Sequence, residues 1–225
     1  ELHSTPSIGI ALSPNDGDAV DVLMKNADAA MYHAKASGRN NYQFFTVRMN
    51  EVVRERLSLE NYLRQALDGQ QFVLHFQPQF AAASGRASSV EALLRWMHPV
   101  EGLIAPAHFL PVADEIGVMS ALDNWVLRQA LAQLRRWRDA GMYITHMAVN
   151  VSLYQLQDER FPERLAQILA DAHLAPGDLE LELTETMAME NPQVIVTVLK
   201  RLRGMGVHLA LDDFGTGFSS LSYLK

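Results

Sequence analysis

The stretch Leu179-Glu180-Leu181-Glu182-Leu183-Thr184 alternates leucine with polar groups without a break. A strand with that period turns every leucine to one face and both glutamates and the threonine to the other. Residues 206–212 repeat the pattern, with Val207, Leu209 and Leu211 against His208, Ala210 and Asp212. Upstream, residues 89–96 set Val90, Ala92, Leu94 and Trp96 against Glu91, Leu93 and Arg95. Residues 145–151 set Met147, Val149 and Val151 against His146, Ala148 and Asn150. Each of these four strands has one wholly apolar face and one face bearing polar groups.

Helical patterns separate the strands. Candidate strands at 72–80, 89–96, 145–151, 178–184 and 206–212 are interleaved with candidate helices at 106–117, 120–140, 161–173 and 192–204. The clearest helix, 120–140, has Ser120 as its expected N-cap and a stripe from Leu122 to Trp137, and Gly141 ends it. Alternating β and α units predict a parallel sheet. A parallel strand covered by helices on both sides would be apolar on both faces. One polar face per strand instead points to a sheet curled around a lumen, with its site at the C-terminal strand ends. An antiparallel sheet with one wet face is the alternative, and the intervening helices fit it poorly. Glu91 falls near the start of its strand rather than the end.

The polar faces define a chemistry. Glu91, Asn150, Glu182, Asp212 and the adjacent Asp213 offer only oxygen donors, which suit Mg²⁺ or Mn²⁺ and not zinc. Carboxylates gathered without a cation would repel one another. Arg95 shares a face with Glu91 and has the fork to hold a phosphate. The loop Asp213-Phe214-Gly215-Thr216-Gly217 precedes a helical stretch and fits neither a Walker loop nor a dinucleotide fingerprint. His75, His146 and His208 read as interior or rim histidines, because no cysteine or HExxH spacing accompanies them. Glu180 reads either as a group behind Glu182 or as a barrel-bottom residue paired with an arginine. The arginines at 135, 136 and 138 read as a solvated helix end.

The front of the chain has a different rhythm: a strand at 7–12, a helix at 19–37, a strand at 42–45 and a helical stretch at 46–68. The first 45 residues are too few for an independent core. They read as the end of an α/β domain (1–46), followed by a connector helix (47–58) and the main domain (59–225); the helical stretch reads equally as the first helix of the main domain.

Composition bounds the rest. Of 225 residues 48% are hydrophobic and 20% charged, with 26 acidic against 19 basic side chains and a net charge of −7. That balance disfavours binding to a DNA or RNA polymer. The absence of cysteine excludes disulfides, zinc–thiolate sites and thiol nucleophiles. No apolar run approaches the roughly 20 residues of a membrane span. With no signal-peptide pattern, the expectation is a soluble, cytoplasmic piece of a longer protein.

Taken together, Glu91-Ala92-Leu93 with Leu94-Arg95-Trp96, Asn150-Val151-Ser152, Glu182-Leu183-Thr184-Glu185 and Asp212-Asp213-Phe214-Gly215-Thr216-Gly217 resemble the EAL domain family. Residues 7–45, with Ala27-Asp28, Ala34-Lys35 and Gly38-Arg39-Asn40, resemble the end of a GGDEF domain. The resemblance implies a TIM-like (β/α) barrel preceded by a GGDEF remnant. It also implies a cyclic di-GMP phosphodiesterase that releases linear pGpG with Mg²⁺ or Mn²⁺.

By the same resemblance, Glu91, Asn150, Glu182, Asp212 and Asp213 are metal ligands, and Glu91, Asp212 and Asp213 are catalytic. Gln77, Leu93 and Arg95 contact substrate, Glu185 steadies the loop after the paired aspartates, and Lys35 and Arg39 contact nucleotide phosphates in the remnant. A homodimer through the EAL domain and an upstream sensory domain, membrane-anchored in some members, are further implications. The chain departs from the family pattern in lacking the GGDEF signature itself and the later Lys, Glu and Gln. The barrel is therefore expected to be incomplete and the 225-residue piece inactive. The alternative is a non-catalytic module that binds cyclic di-GMP or a protein partner.

Overall fold

A computed structural model describes residues 5–82, 85–184, 187 and 192–212. The chain divides into two compact units, 1–63 and 64–225. In the first, β1 (Ile8–Ile10) and β2 (Tyr42–Phe44) pair in parallel, joined through α1 (Val20–Ala36). Helix α1 buries Ala29, Ala30 and Ala34. It lies so close to β1 that a Cβ on Gly9 would sit 1.9 Å from the Ala27 carbonyl oxygen. Only glycine fits there. One continuous helix, α2 (Val47–Ala66), follows and runs through the position where a connector was expected to give way to the next domain.

The second unit contains β3 (Phe72–Phe80), β4 (Ala87–His98), β5 (Gly102–Ile104), α3 (Pro106–Glu115), α4 (Met119–Asp139) and β6 (Met147–Asn150). It continues with α5 (Leu153–Gln157), α6 (Phe161–Asp171), β7 (Leu179–Thr184), α7 (Pro192–Met205) and β8 (His208–Asp212). The sheet order is β3-β4-β6-β7-β8, with β5 added to β4. Strands β4, β6, β7 and β8 are parallel neighbours, whereas β3 is antiparallel to β4. The all-parallel expectation is corrected at this point, since the six residues 81–86 cannot carry a parallel crossover.

The apolar strand faces pack where the alternation put them. Val90, Ala92, Met147, Val149, Leu179, Leu181 and Leu183 form one buried core with Leu127, Leu131 and Leu134 of α4, Phe161, Leu165 and Leu169 of α6, and Ile195, Val198 and Leu202 of α7. Phe76 meets Trp137 edge-on at 4.8 Å. Helix α4 starts one residue before its expected cap: Val118 occupies the N-cap position, and Ser120 stands inside the first turn. At its other end Arg138 donates to the carbonyls of Ile144 and Thr145 and pairs with Asp178 at 2.8 Å. The arginine expected in solvent instead ties down the segments leading into β6 and β7.

Leu131 is fully buried between the helices and the sheet. Leu131→Ala should cost about 2–5 kcal/mol of stability in urea denaturation, through lost burial and a residual cavity. A loss below about 1 kcal/mol would contradict the core assignment.

Candidate active site

The register sets the heights of the polar groups. Glu91 pairs with Ala148, Ala148 with Glu180, and Glu180 with His208, making one row across the inner face. Asn150, Glu182 and Ala210 form the next row, and Thr184 and Asp212 the row above. Asn150 and Asp212 are the last residues of their strands. The site therefore climbs from Glu91 to Asp212 as the sheet curls, which is the stagger a barrel requires. Glu91, Leu93, Arg95, Asn150, Glu182 and Asp212 all line one cavity of about 430 Å³, with Leu110, Met119 and Val126 on its apolar wall.

Within the cavity Asn150 Nδ2 donates to Glu91 Oε1 at 2.9 Å. That bond engages the amide nitrogen and leaves the Asn150 carbonyl oxygen as the atom suited to a cation. Glu182 is 8% exposed. Its Oε1 accepts from Gln79 Nε2 at 3.2 Å, and its Oε2 is buried without a hydrogen-bond partner. Burial, and after it the charge of Glu91, pushes the Glu182 carboxyl up to about 7. The Gln79 hydrogen bond pulls the other way, while Asp212 and Glu180 push further up. A buried carboxylate oxygen with no partner, close to other carboxylates, is an arrangement that a proton or a divalent cation would neutralise. Among the described residues, no three histidine, aspartate or glutamate side chains already converge on one point. Mutual repulsion of like charges opposes such convergence.

Gln77 is exposed and pairs with Glu91 across β3 and β4, so the two side chains leave the sheet side by side. Arg95 lines the cavity and donates to the Leu94 carbonyl at 2.7 Å. Lys35 and Arg39 lie exposed in the last turn of α1 and the loop after it. Asp213, Glu185 and the glycine loop lie outside the described residues. His146 and His208 come together with ring centroids 5.7 Å apart, and His146 Nε2 stands 3.7 Å from Glu180 Oε1. The charged neighbour of Glu180 is thus a histidine, not the arginine that one of its two readings expected. Burial pulls the His146 imidazole below its usual range, against the attraction of Glu180.

Two groups escaped the sequence reading. Gln79 shares its strand face with Gln77, so the period of two was the available signal. Asp123 of α4 lines the cavity and accepts from the Ser152 hydroxyl, which also takes the Gln155 amide hydrogen as N-cap of α5. A single acid beside a helix's apolar stripe carries no comparable signal.

The EAL domain model matches residues 60–225, and the diguanylate cyclase GGDEF domain model matches residues 1–41. The chain belongs to the EAL domain family. It is 47% identical over 225 residues to the bifunctional diguanylate cyclase/cyclic di-GMP phosphodiesterase MucR of Pseudomonas aeruginosa, covering all of this chain and 33% of that protein. It is 40% identical over 224 residues to the cyclic di-GMP phosphodiesterase PdeR of Escherichia coli, covering all of this chain and 34% of that one. The chain spans about a third of the length of these curated relatives. Among solved structures, the PaMucR phosphodiesterase in complex with c-di-GMP aligns with a TM-score of 0.71 at 43% identity, over 74% of this chain and 68% of that one. The EAL enzyme Bd1971, with cAMP and cyclic di-GMP bound, aligns with a TM-score of 0.71 at 26% identity, over 93% and 55%. The open α/β sheet is accordingly part of a TIM-like barrel of the EAL type.

Burial pushes the Asp123 carboxyl up to about 6, against the pull of the Ser152 hydrogen bond. The folded state therefore holds a proton that the unfolded chain releases near pH 4, and Asp123 costs stability as pH rises from about 4 to about 6. Asp123→Asn keeps an acceptor for Ser152 and should remove that part of the pH dependence. At pH 8 it should stabilise the protein by on the order of 1–3 kcal/mol. Thermal melts of both proteins from pH 4 to 8 check this, and parallel profiles would refute it.

Proposed function

We propose that the protein to which this chain belongs hydrolyses cyclic di-GMP to linear pGpG with Mg²⁺ or Mn²⁺. The observation that carries the reading is Glu182. It is a buried carboxyl with one oxygen that has no hydrogen-bond partner, close to Glu91 and Asp212 in a cavity that Asn150 and Arg95 also line. The names of the relatives and the cyclic di-GMP in the PaMucR complex support the substrate. Residues 1–46 are read as the GGDEF remnant, with Lys35 and Arg39 as its phosphate contacts. Residues 47–58 are the connector and residues 59–225 the EAL part.

Glu91, Asn150, Glu182, Asp212 and Asp213 would hold the cation. When bound, it would polarise a phosphoryl oxygen and lower the pKa of water at the site. In the reaction a water oxygen bonds to phosphorus and the bond from phosphorus to one ribose 3′ oxygen breaks. One water proton goes to that leaving oxygen and the other to solvent, so the ring opens to a 5′-phosphorylated dinucleotide. Arg95 offers its guanidinium to the non-bridging phosphate oxygens. Gln77 and Leu93 contact the rest of the nucleotide, and Glu185 steadies the loop that carries Asp213. A homodimer through the EAL domain and an upstream sensory domain complete the proposal. Its cytoplasmic location accords with a chain that has no cysteine. No helix among the described residues is long and apolar enough to cross a membrane.

The full-length protein should convert cyclic di-GMP to pGpG with Mg²⁺ or Mn²⁺. Calcium should serve poorly, because its loose geometry positions water less well. Glu91→Ala and Asp212→Asn should each lower turnover by more than about a hundredfold. Turnover retained in either variant, followed by chromatographic separation of pGpG, would remove that residue from the site. Equal rates with calcium would remove the metal-geometry argument.

A further inference from the structure

Gln79 is held in place from two sides. It pairs directly with Ser89 across β3 and β4, and the register slips immediately afterwards, since Phe80 pairs with Ala87 and skips Ser88. Such a bulge re-aims the neighbouring side chain. The Ser88 carbonyl thereby freed accepts from the Thr145 amide at 2.8 Å and the Thr145 hydroxyl at 2.7 Å, which anchors the bulge to the segment before β6. Ser89, 5% exposed, donates its hydroxyl to Gln79 Oε1 at 2.8 Å. The opposite end of the same amide donates to Glu182 Oε1. An ionised carboxylate only accepts, so the amide nitrogen must face Glu182 and the amide oxygen is left for Ser89.

We infer that Gln79, oriented by Ser89, is a positioning residue that engages one lone pair of Glu182 Oε1, fixes the direction of the carboxylate and so favours single-oxygen over two-oxygen binding of a divalent cation. The inference rests on the proposed metal-dependent function. Its consequence is selectivity. Mg²⁺ takes a strict octahedral shell of single oxygens, and Mn²⁺ shares its preference for oxygen donors, whereas Ca²⁺ accepts six to eight oxygens and readily takes both from one carboxylate. Fixing the carboxylate in this way favours the smaller cations at the expense of Ca²⁺. Without Gln79, Glu182 loses the bond that fixes its direction.

The test is calorimetric titration of Mn²⁺, and separately of Ca²⁺, into the purified full-length protein without substrate, at pH 8. Glu182→Gln serves to identify the heat that belongs to this site. Gln79→Leu should weaken Mn²⁺ binding about tenfold, as loss of a group supporting a ligand typically does. It should leave Ca²⁺ affinity within about threefold of wild type, so that the Mn²⁺/Ca²⁺ preference falls. Ser89→Ala should shift the preference the same way by a smaller factor, and it carries the test if Gln79→Leu fails to melt cooperatively. A purely structural role would weaken both cations alike. An unchanged preference in both variants, with wild type binding Mn²⁺ at the Glu182-dependent site, would overturn the role of Gln79 alone. If wild type binds neither cation there, the metal-dependent reading falls and this inference with it.

Discussion

The packing of alternating strands onto helices governs everything else in the larger unit. Leu179, Leu181 and Leu183 can be buried against α6 and α7 only if the other face of β7 turns away from the helices. The same holds for β4, β6 and β8. A sheet covered on one side and twisted by its own chirality curls, and its uncovered face becomes concave. Direct evidence for the curl is the hydrogen bond from Gln79 on β3 to Glu182 on β7. Two strands, β4 and β6, lie between them in the sheet. On a flat sheet that separation would be roughly 14 Å at the usual strand spacing. Only a curled sheet lets a glutamine span it.

The carboxylates on the concave face are the electrostatic consequence. Burying Glu182 costs free energy, and placing Glu91, Glu180 and Asp212 around it adds repulsion, so its proton is held to about pH 7. The large apolar contact beneath the sheet offsets this, as is common where a site is built at the expense of stability. Asn150 adds no charge and hydrogen-bonds Glu91. A fifth carboxylate in its place would have raised the repulsion further.

Much of this was legible in the sequence because a period of two is a direct readout of which face each side chain takes. Glu91, Asn150, Glu182 and Asp212 were placed on one face by phase alone, and they share one cavity. What phase could not show was pairing. The antiparallel β3–β4 hairpin and the short β5 depend on connection length and long-range pairing, not on alternation. Helix α5 is short enough that only its capping box, Ser152 with Gln155, marks it. Ser120 is a good cap by propensity, but Val118 occupies the cap because the chain turns there after Gly117, at φ 74°. Arg138 was misread, and the arginine-paired reading of Glu180 failed, for one reason: their partners, Asp178 and His146, are distant in sequence and adjacent only once the strands align.

The inner face also carries small residues beside its acids. Where the rows cross β6 and β8, the residues beside Glu180 and Glu182 are Ala148 and Ala210. Larger side chains there would fill the lumen, as branched residues do in the interior layers of a closed barrel. Below, His146, Glu180 and His208 occupy the N-terminal end of the same face with their own polar contacts. Above, the cavity is bordered by Glu91, Asn150, Glu182 and Asp212 at staggered heights and by the apolar wall of α3 and α4. Acids line one side of a single cavity, and Leu110, Met119 and Val126 the other. The same alternation that buries the leucines thus spaces the acids along the inner face.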